Sequence, residues 1–246
     1  MNTQTITAYP VVKNVPACNE FLARVFAAKE NFRAVGGAGG YHTEVTVGDT
    51  NIWVGGGAPE LDWKGVPRPM AFHIIVPDCD ATYSAAMEAG AKSLDQPTDQ
   101  PWKERTAHVL DPQGNIWYVG TGLQGFPAIQ PYLLPRAGQG QPLLDFLRAA
   151  FGMQVDGGIR HATLRLGSSY LELIEAPPDY PVGAGTFYMY VPDCDAAFAA
   201  ALSAGAQKHS EPADQSYGDR HASVTDLSGN VWYLASKLAG QSSHAG

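Results

Sequence analysis

Hydrophobic residues recur along the chain with two spacings, one typical of helices and one typical of strands. Between residues 17 and 28, Phe21, Leu22, Val25 and Phe26 lie at helical spacing, which predicts an amphipathic helix. Further helices are predicted at 81–89, 143–151 and 196–204. Short apolar or alternating runs predict strands at 5–12, 41–47, 51–54, 71–76, 105–110, 116–119, 128–134, 161–166, 170–174, 186–191 and within 220–234.

A long stretch of this pattern occurs twice. Residues 76–118 return at residues 191–233, each position recurring 115 residues later without a gap. Both copies begin VPDCDA and end with GN, one apolar residue and WY. Solenoid repeats are much shorter, at about 20–50 residues, so this period indicates a duplicated domain.

The order strand, helix, then two or three strands occurs twice in residues 1–121 and twice again in the second half of the chain. Four tandem βαβββ units predict an α+β fold with mixed, curved sheets whose helices cover one face. We expect one domain at 1–122, a second at 128–239, and a small polar tail at 240–246 that is disordered.

Strand alternation assigns side chains to the two faces of these sheets. Residues such as Phe72, Ile74 and Trp117 are predicted to lie beneath the helices. The residues predicted on the open, concave face include His42, Glu44, Trp53, His73, Tyr118, His161, Thr163, Glu172, Tyr188 and Tyr233.

The duplicated VPDCDA block and the closing D-x-x-G-N-x-W-Y motif, in this order of units, resemble the vicinal oxygen chelate superfamily. That superfamily includes glyoxalase I, extradiol dioxygenases, fosfomycin-modifying enzymes and bleomycin-binding proteins. The resemblance covers nearly the whole chain and implies two glyoxalase/bleomycin-resistance-like domains. It implies less about function, because one fold serves many activities.

The resemblance also implies where a metal ion would bind. In metal-using members, the ligands are His or Gln on the first strand and Glu on the last strand of a unit. The residues at these positions here are Thr7 or Tyr9, His73, Tyr118, Tyr132, Glu172, Tyr188 and Tyr233. Only His73 and Glu172 have ligand-type side chains, and a neutral phenol with a pKa near 10 is a poor ligand for a divalent ion. We therefore expect neither a metal nor another cofactor.

Aromatic residues dominate the predicted concave faces. They are Tyr9, Trp53, Trp102 and Tyr118 in the first half, and Tyr132, Tyr188, Tyr190, Tyr217 and Tyr233 in the second. Such residues suit stacking on a planar organic molecule, with hydroxyl groups to orient it. The alternative is that the two concave faces pack together and these tyrosines line an interdomain interface.

Three polar residues join the candidate ligand-binding set. His73 is interpreted as a hydrogen-bonding group in a pocket, with a metal ligand or a structural histidine as alternatives. His42 either forms an acid–base pair with Glu44 or is one of two exposed residues on a strand face. Glu172 either binds a cationic group of a ligand or is solvated. No catalytic residue is predicted.

Two further pairs repeat with the duplicated block. Arg105 and Arg220 recur beside Asp111 and Asp226, which predicts an internal Arg–Asp bridge in each hairpin. The equivalent residues Cys79 and Cys194 are predicted to be buried fillers and not halves of a disulfide.

The composition limits the kinds of partner that the protein can bind. The chain has 246 residues and a formal net charge of −8 with scattered acidic residues, so it lacks the basic face that nucleic acid requires. Neither a leader-like start nor an apolar run of membrane-spanning length is present. We therefore expect a cytoplasmic protein without a membrane partner, either a monomer or a homodimer.

The resulting hypothesis is a metal-free, small-molecule-binding protein of the glyoxalase/bleomycin-resistance type, which holds a partly aromatic organic ligand in an aromatic-lined cup. The main alternative is a metal-dependent lyase, isomerase or dioxygenase of the same superfamily. A protein-interaction module without a small ligand is a third interpretation.

Overall fold

The computed structural model describes residues 5–178, 180 and 183–238, which form four successive units of strands around one helix each. The predicted tail at 240–246 lies outside the described residues. The first unit contains β1 (Ile6–Ala8), β2 (Val11–Val12), α1 (Val15–Phe26), β3 (Lys29–Val35), β4 (Tyr41–Val47) and β5 (Thr50–Gly56). The second contains β6 (Ala71–Ile75), α2 (Cys79–Glu88), β7 (Lys92–Asp99), β8 (Arg105–Leu110) and β9 (Ile116–Thr121).

The second half of the chain repeats this order. The third unit contains β10 (Ile129–Leu133), α3 (Gly140–Phe151), β11 (Gln154–Gly158), β12 (His161–Leu166) and β13 (Ser169–Leu173). The fourth contains β14 (Thr186–Tyr190), α4 (Cys194–Ser203), β15 (Gln207–Asp214), β16 (Asp219–Thr225) and β17 (Val231–Lys237). The predicted α+β fold of tandem βαβββ units is confirmed. No helix among the described residues is both long and apolar enough to span a bilayer.

Each unit contains a strand that the hydrophobic pattern did not predict. These strands are β3, β7, β11 and β15, and they lie at the outer edges of the sheets. Their residues are mostly exposed and polar, as in the KSLDQPTD sequence of β7. Because no face of such a strand is buried, it has no alternation to reveal it.

The sheets join units from different halves of the chain. An eight-stranded sheet has the order β11-β12-β13-β10-β6-β9-β8-β7, and antiparallel β6 and β10 connect the second unit to the third. The first and fourth units meet where β1 pairs with β14, within a five-stranded sheet of order β1-β14-β17-β16-β15. A four-stranded sheet, β2-β5-β4-β3, completes the first unit.

We name the two open faces by one residue each. The open face of units two and three is the His73 cup, and that of units one and four is the Tyr188 cup.

The hydrophobic core lies on the helix side of the sheets, as predicted. Phe72 stacks on Trp117 with ring centroids 4.6 Å apart, and Phe187 stacks on Trp232 at 4.5 Å. All four rings are at most 1% exposed. The repeated pattern therefore buries equivalent aromatic pairs in both halves.

The repeated aspartates and arginines are structural, but the predicted pairing is wrong. Asp111 accepts hydrogen bonds from Trp117 Nε1 at 3.0 Å and from Asn115 Nδ2 at 2.9 Å, so it pins the hairpin from within the core. Arg105 instead pairs with Asp80 at the start of α2 and with Asp99.

The second copy shows the same arrangement, with Asp226 bound to Trp232 and Arg220 bound to Asp195 and Asp214. Cys79 and Cys194 are buried free thiols, as predicted, and burial raises the pKa of each to about 11.

Candidate functional site

The nine predicted ligand-binding residues fall into two groups of side chains. His73, Tyr118, Tyr132 and Glu172 line one cavity in the His73 cup. The other five form a cluster in the Tyr188 cup: Tyr9, His42, Trp53, Tyr188 and Tyr233. Each cup combines residues from both halves of the chain.

Strand register brings the first group together. His73 on β6 lies beside Tyr118 on the parallel strand β9, and Tyr132 on β10 lies beside Glu172 on β13. The antiparallel contact between β6 and β10 then joins these two pairs, with Gln130 opposite His73.

The His73 cup encloses a cavity of about 650 Å³. Its aromatic wall includes Trp102, Tyr118, Phe126 and Tyr132. Its polar wall includes His73, Glu104, Thr106, His108, Gln130, Arg160, His161, Thr163 and Glu172. A volume in the range of about 300–1,000 Å³ is typical of small-molecule sites.

His73 forms a buried pair with Glu104. The two residues are 6% and 5% exposed, and His73 Nε2 lies 2.7 Å from Glu104 Oε1. Burial raises the pKa of Glu104, but the hydrogen bond and charge of His73, with a further hydrogen bond from Trp102, outweigh burial and leave that pKa below its ordinary value. The carboxylate is therefore ionised and accepts the hydrogen bond, and His73 Nε2–H donates it.

Sequence reasoning missed Glu104, because it precedes the strand β8 and follows no alternation. One signal was available in the repeat. Asp219 occupies the equivalent position 115 residues later, so each copy carries a carboxylate immediately before the repeated arginine.

Glu172 is likewise paired and not solvated. It is 3% exposed, lies 3.0 Å from His161 Nε2, and accepts a hydrogen bond from Thr163 Oγ1 at 3.1 Å. The hydrogen bond to Glu172 raises the pKa of His161 above its ordinary value, although burial opposes this.

His108 completes the polar wall, and sequence reasoning missed it as well. Its Nδ1 lies 2.7 Å from Asp95 Oδ2, and its ring meets the Tyr118 ring edge-on at 4.5 Å. Burial lowers the pKa of His108 despite the opposing effect of Asp95. The imidazole therefore positions the tyrosine ring and is neutral at physiological pH.

The two cavity tyrosines stay protonated. Their rings are 4.7 Å apart, and burial raises the pKa of both Tyr118 and Tyr132 well above the ordinary value. Both hydroxyl groups therefore keep their protons and can donate hydrogen bonds.

The donor set does not fit a divalent metal ion. Of the residues at the positions implied by the resemblance, four line the His73 cup. Tyr118 and Tyr132 are neutral phenols, and His73 and Glu172 are each held by another side chain. Among the described residues, no three His, Cys, Asp or Glu side chains are grouped as metal ligands.

The Tyr188 cup contains packed rings. Tyr9 OH lies 2.8 Å from His42 Nδ1, and the Trp53 ring contacts Tyr188 at 4.7 Å. Burial lowers the pKa of His42. Its predicted partner Glu44 is 3.9 Å away, beyond hydrogen-bonding distance.

The rest of this cluster comes from the fourth unit. His221 stacks on Tyr233 at 5.3 Å and on Tyr188 at 5.8 Å. The buried Asp219 accepts a hydrogen bond from Tyr190 OH at 2.9 Å and pairs with Lys237 Nζ at 2.7 Å.

The fold thus consists of paired βαβββ units, and its sheets pass from one half of the chain to the other. The sequence model of the Glyoxalase/Bleomycin resistance protein/Dioxygenase superfamily matches residues 11–119 and 132–234. The chain therefore belongs to this superfamily. The matched segments lie within the predicted domains 1–122 and 128–239, whose boundaries stay a prediction.

The chain is also similar to individual proteins. The chain is 39% identical to the anthracycline biosynthesis protein DnrV of Streptomyces peucetius over 83 residues, which cover 33% of this chain and 29% of that protein. It is 31% identical to the uncharacterized protein Mb0911c of Mycobacterium bovis over 123 residues, or 47% of this chain and 81% of that protein. The chain thus spans less than a third of DnrV.

A solved structure shows the fold over nearly the whole length. Glyoxalase I from Zea mays superposes with a TM-score of 0.74 at 18% identity, covering 95% of this chain and 92% of the maize chain. At this identity the likeness concerns the fold alone.

Proposed function

We propose that the protein binds a small, partly aromatic organic molecule in the His73 cup without using a metal ion. The observation that carries this proposal is the cavity of about 650 Å³ walled by Trp102, Tyr118 and Tyr132. Stacking of a planar ring on such a wall stabilises the complex by about 0.5–1.5 kcal/mol per aromatic pair, beyond the effect of burying apolar area.

Polar groups of the cavity would orient the ligand. The Tyr118 and Tyr132 hydroxyls donate hydrogen bonds, whereas the ionised Glu104 accepts them. Gln130 is only 2% exposed and carries both a donor and an acceptor into the same wall. A ligand with one aromatic part and one carbonyl or hydroxyl group matches this arrangement.

The chemistry of the donor set supports the metal-free part of the proposal. Both tyrosines at ligand positions hold their protons, and no observed geometry favours the alternative of a metal-dependent lyase, isomerase or dioxygenase. Metal analysis of protein purified without chelator tests this part. A stoichiometric transition metal that is lost in His73→Ala would contradict it and select the alternative.

Ligand binding can be tested with polycyclic aromatic probes. The similarity to an anthracycline biosynthesis protein makes anthraquinones the first panel to try. A probe at about 100 times its Kd stabilises the folded state by about 2.7 kcal/mol, which should raise the Tm by roughly 5–10 °C.

The chain offers a matched pair of control variants. Trp102 lines the cavity, and Tyr217 occupies the equivalent position in the second copy; both side chains are 61% exposed. Trp102→Ala should weaken probe binding about tenfold, whereas Tyr217→Ala should leave it unchanged. Equal effects of the two substitutions, or no stabilisation by any probe, would contradict the proposal and favour a protein-interaction module.

The remaining expectations stay predictions. They are a cytoplasmic location and a monomeric or homodimeric state.

A further inference from the structure

A second cavity lies on the opposite side of β10 from the His73 cup. Gln130 and Tyr132 of β10 line the cup, whereas the alternating residues Ile129 and Pro131 line the second cavity. Its volume of about 420 Å³ is within the range of about 300–1,000 Å³ for small-molecule sites. We name it the junction pocket, because both halves of the chain form it, through residues 49–51, 125–127 and 168–171 with Ile6, Ile129 and Pro131.

The turns of the β4–β5 and β12–β13 hairpins form two walls of the junction pocket. The Thr50 hydroxyl, at the start of β5, accepts a hydrogen bond from Ile129 N at 3.3 Å. The Ser169 hydroxyl, at the start of β13, accepts one from Ile6 N at 2.8 Å. Each wall is therefore fixed to a strand from the other half of the chain, and the pocket is formed before any ligand binds.

The junction pocket contains one charged group. Asp49 is the only charged side chain among the described residues that line it. Asp49 Oδ1 accepts hydrogen bonds from Ala128 N at 2.8 Å and from Thr50 Oγ1 at 3.0 Å. Asp49 Oδ2 has neither a hydrogen bond nor an ion pair with any residue that the structure describes. The carboxylate is thus held in position with one oxygen open, and its charge favours a cation over an anion.

Apolar groups form the rest of the junction pocket. Ile6, Ile129 and Leu171 lie at its base and are at most 2% exposed. The Phe126 and Tyr170 rings meet edge-on beside them, with centroids 5.8 Å apart. Apolar surface accepts a hydrocarbon body, and aromatic faces attract cations.

We propose that the junction pocket binds an organic ammonium ion that carries an apolar or aromatic body. The ammonium group donates a charge-assisted hydrogen bond to Asp49 Oδ2, and the body packs against Phe126, Tyr170 and the apolar base. This site is separate from the His73 cup, and the inference does not depend on the function proposed for that cup.

Three probes of similar shape and different charge test the proposal. They are the 2-phenylethylammonium ion, the neutral 2-phenylethanol and the phenylacetate anion, and isothermal titration with the full-length protein measures their Kd values. The ammonium ion should bind at least tenfold more tightly than the alcohol, because its hydrogen bond to the carboxylate is charge-assisted. Phenylacetate should bind more weakly still. Equal affinities for the three probes, or no binding of the ammonium ion, would overturn the inference.

A conservative substitution identifies the group that recognises the charge. Asp49→Asn keeps an oxygen that accepts from Ala128 N and removes the negative charge, so it should weaken ammonium binding about tenfold or more and leave 2-phenylethanol binding unchanged. Asp62→Asn removes the same charge outside the pocket, from a side chain that is 86% exposed, and should have no effect. Equal losses in the two variants would mean that net charge alone attracts the probe, and the inference would be wrong. The three-probe comparison uses the unaltered chain and decides the matter even if Asp49→Asn is unstable.

A further variant separates the junction pocket from the His73 cup. Phe126 lines both cavities, whereas Trp102 lines only the cup of these two. Trp102→Ala should therefore leave the Kd of the ammonium ion unchanged. If Trp102→Ala weakens its binding and Asp49→Asn does not, the ion binds in the His73 cup, so the inference fails and the function proposed for the cup stands. If no anthraquinone binds but the ammonium ion shows the expected dependence on Asp49, the cup proposal fails and the inference stands.

Discussion

The two cups are built from equivalent positions, yet one surrounds a cavity and the other is packed with rings. Thr106 in the His73 cup corresponds to His221, which stacks on two tyrosines of the Tyr188 cup. Glu172 pairs in register with Thr163, and at the equivalent place Trp53 pairs with Glu44. Small or charged side chains thus keep one cup open, whereas large rings at the same positions fill the other.

The two cups also differ in their polar residues. Where the first copy has His73 and Glu104, the second has Tyr188 and Asp219, and Lys237 neutralises that aspartate. An imidazole lines the cavity in one case, and a phenol packed among rings stands in its place in the other. The polar side chains and the open space therefore occur together in the His73 cup.

The largest effect is expected from a substitution that opens the packed Tyr188 cup. Trp53→Ala removes the ring that contacts Tyr9, His42 and Tyr188. We expect a loss of about 2–4 kcal/mol in the free energy of unfolding, measured by urea denaturation, because the packed cluster would be left with a void. Trp102→Ala, at an exposed position, should cost about 1 kcal/mol or less. Equal losses would show that the cluster is not packed as described.

Closing the space around the polar pair should have the next largest effect. The added methyl of Gly120→Ala would collide with Glu104 and His73, and overpacking of this kind costs about 1–3 kcal/mol. Probe binding should fall as the pair shifts. Ala235→Gly, at the equivalent position, should cost about 0.5–1 kcal/mol and leave probe binding unchanged. A stable Gly120→Ala variant with full binding would contradict the tight fit.

Exchanging one residue between the cups should change binding more than stability. Thr106→His places the side chain of the filled cup in the cavity wall and should weaken anthraquinone binding at least tenfold, or about 1.4 kcal/mol. Isothermal titration measures this change. His221→Thr is the reverse exchange and should leave binding in the His73 cup unaltered, so a parallel loss in both variants would argue against a local cause.

The smallest expected effect is a difference in pH dependence between two equivalent histidines. The pKa of His161 is raised by its bond to Glu172, so its contribution to stability is present below the unfolded pKa of about 6.5 and is lost as pH rises through the folded pKa. The pKa of His42 is lowered by burial. Below about pH 6.5 the unfolded state therefore takes up a proton more readily than the folded state, and stability falls as pH falls.

Substitution should reveal these opposite signs. Relative to the wild type, His161→Gln should lose the most stability in acid, and His42→Gln should gain stability there. Tm values measured between about pH 5 and 8 check this, since that window contains the histidine titration. Slopes of the same sign would show that the two environments do not differ as described.

Much of the fold could be predicted because its signals are local. The alternation that places Phe72 and Trp117 under the helices is written along each strand, and the repeated block gives the order of units twice. Edge strands such as β7 were missed because both of their faces are largely exposed.

The site was predicted only in part, for a different reason. Alternation states which face a residue such as His73 occupies, but not which distant strand lies beside it. The pairing of β6 with β10 is a tertiary event, so the sequence did not indicate that Tyr132 and Glu172 lie in one cavity with His73. Glu104 was missed because a charged residue before a strand is typical of solvent-exposed loops, and its burial beside His73 arises only in the folded chain.

The crossover of the sheets from one half of the chain to the other also constrains how such a protein can evolve. A gene fragment encoding either half alone would specify one wall of each cup and a complete version of neither. Ancestral single halves would therefore have needed two copies to enclose a ligand. Fusion freed the two enclosures to diverge, since a mutation in the joined chain alters one of them without its mirror image.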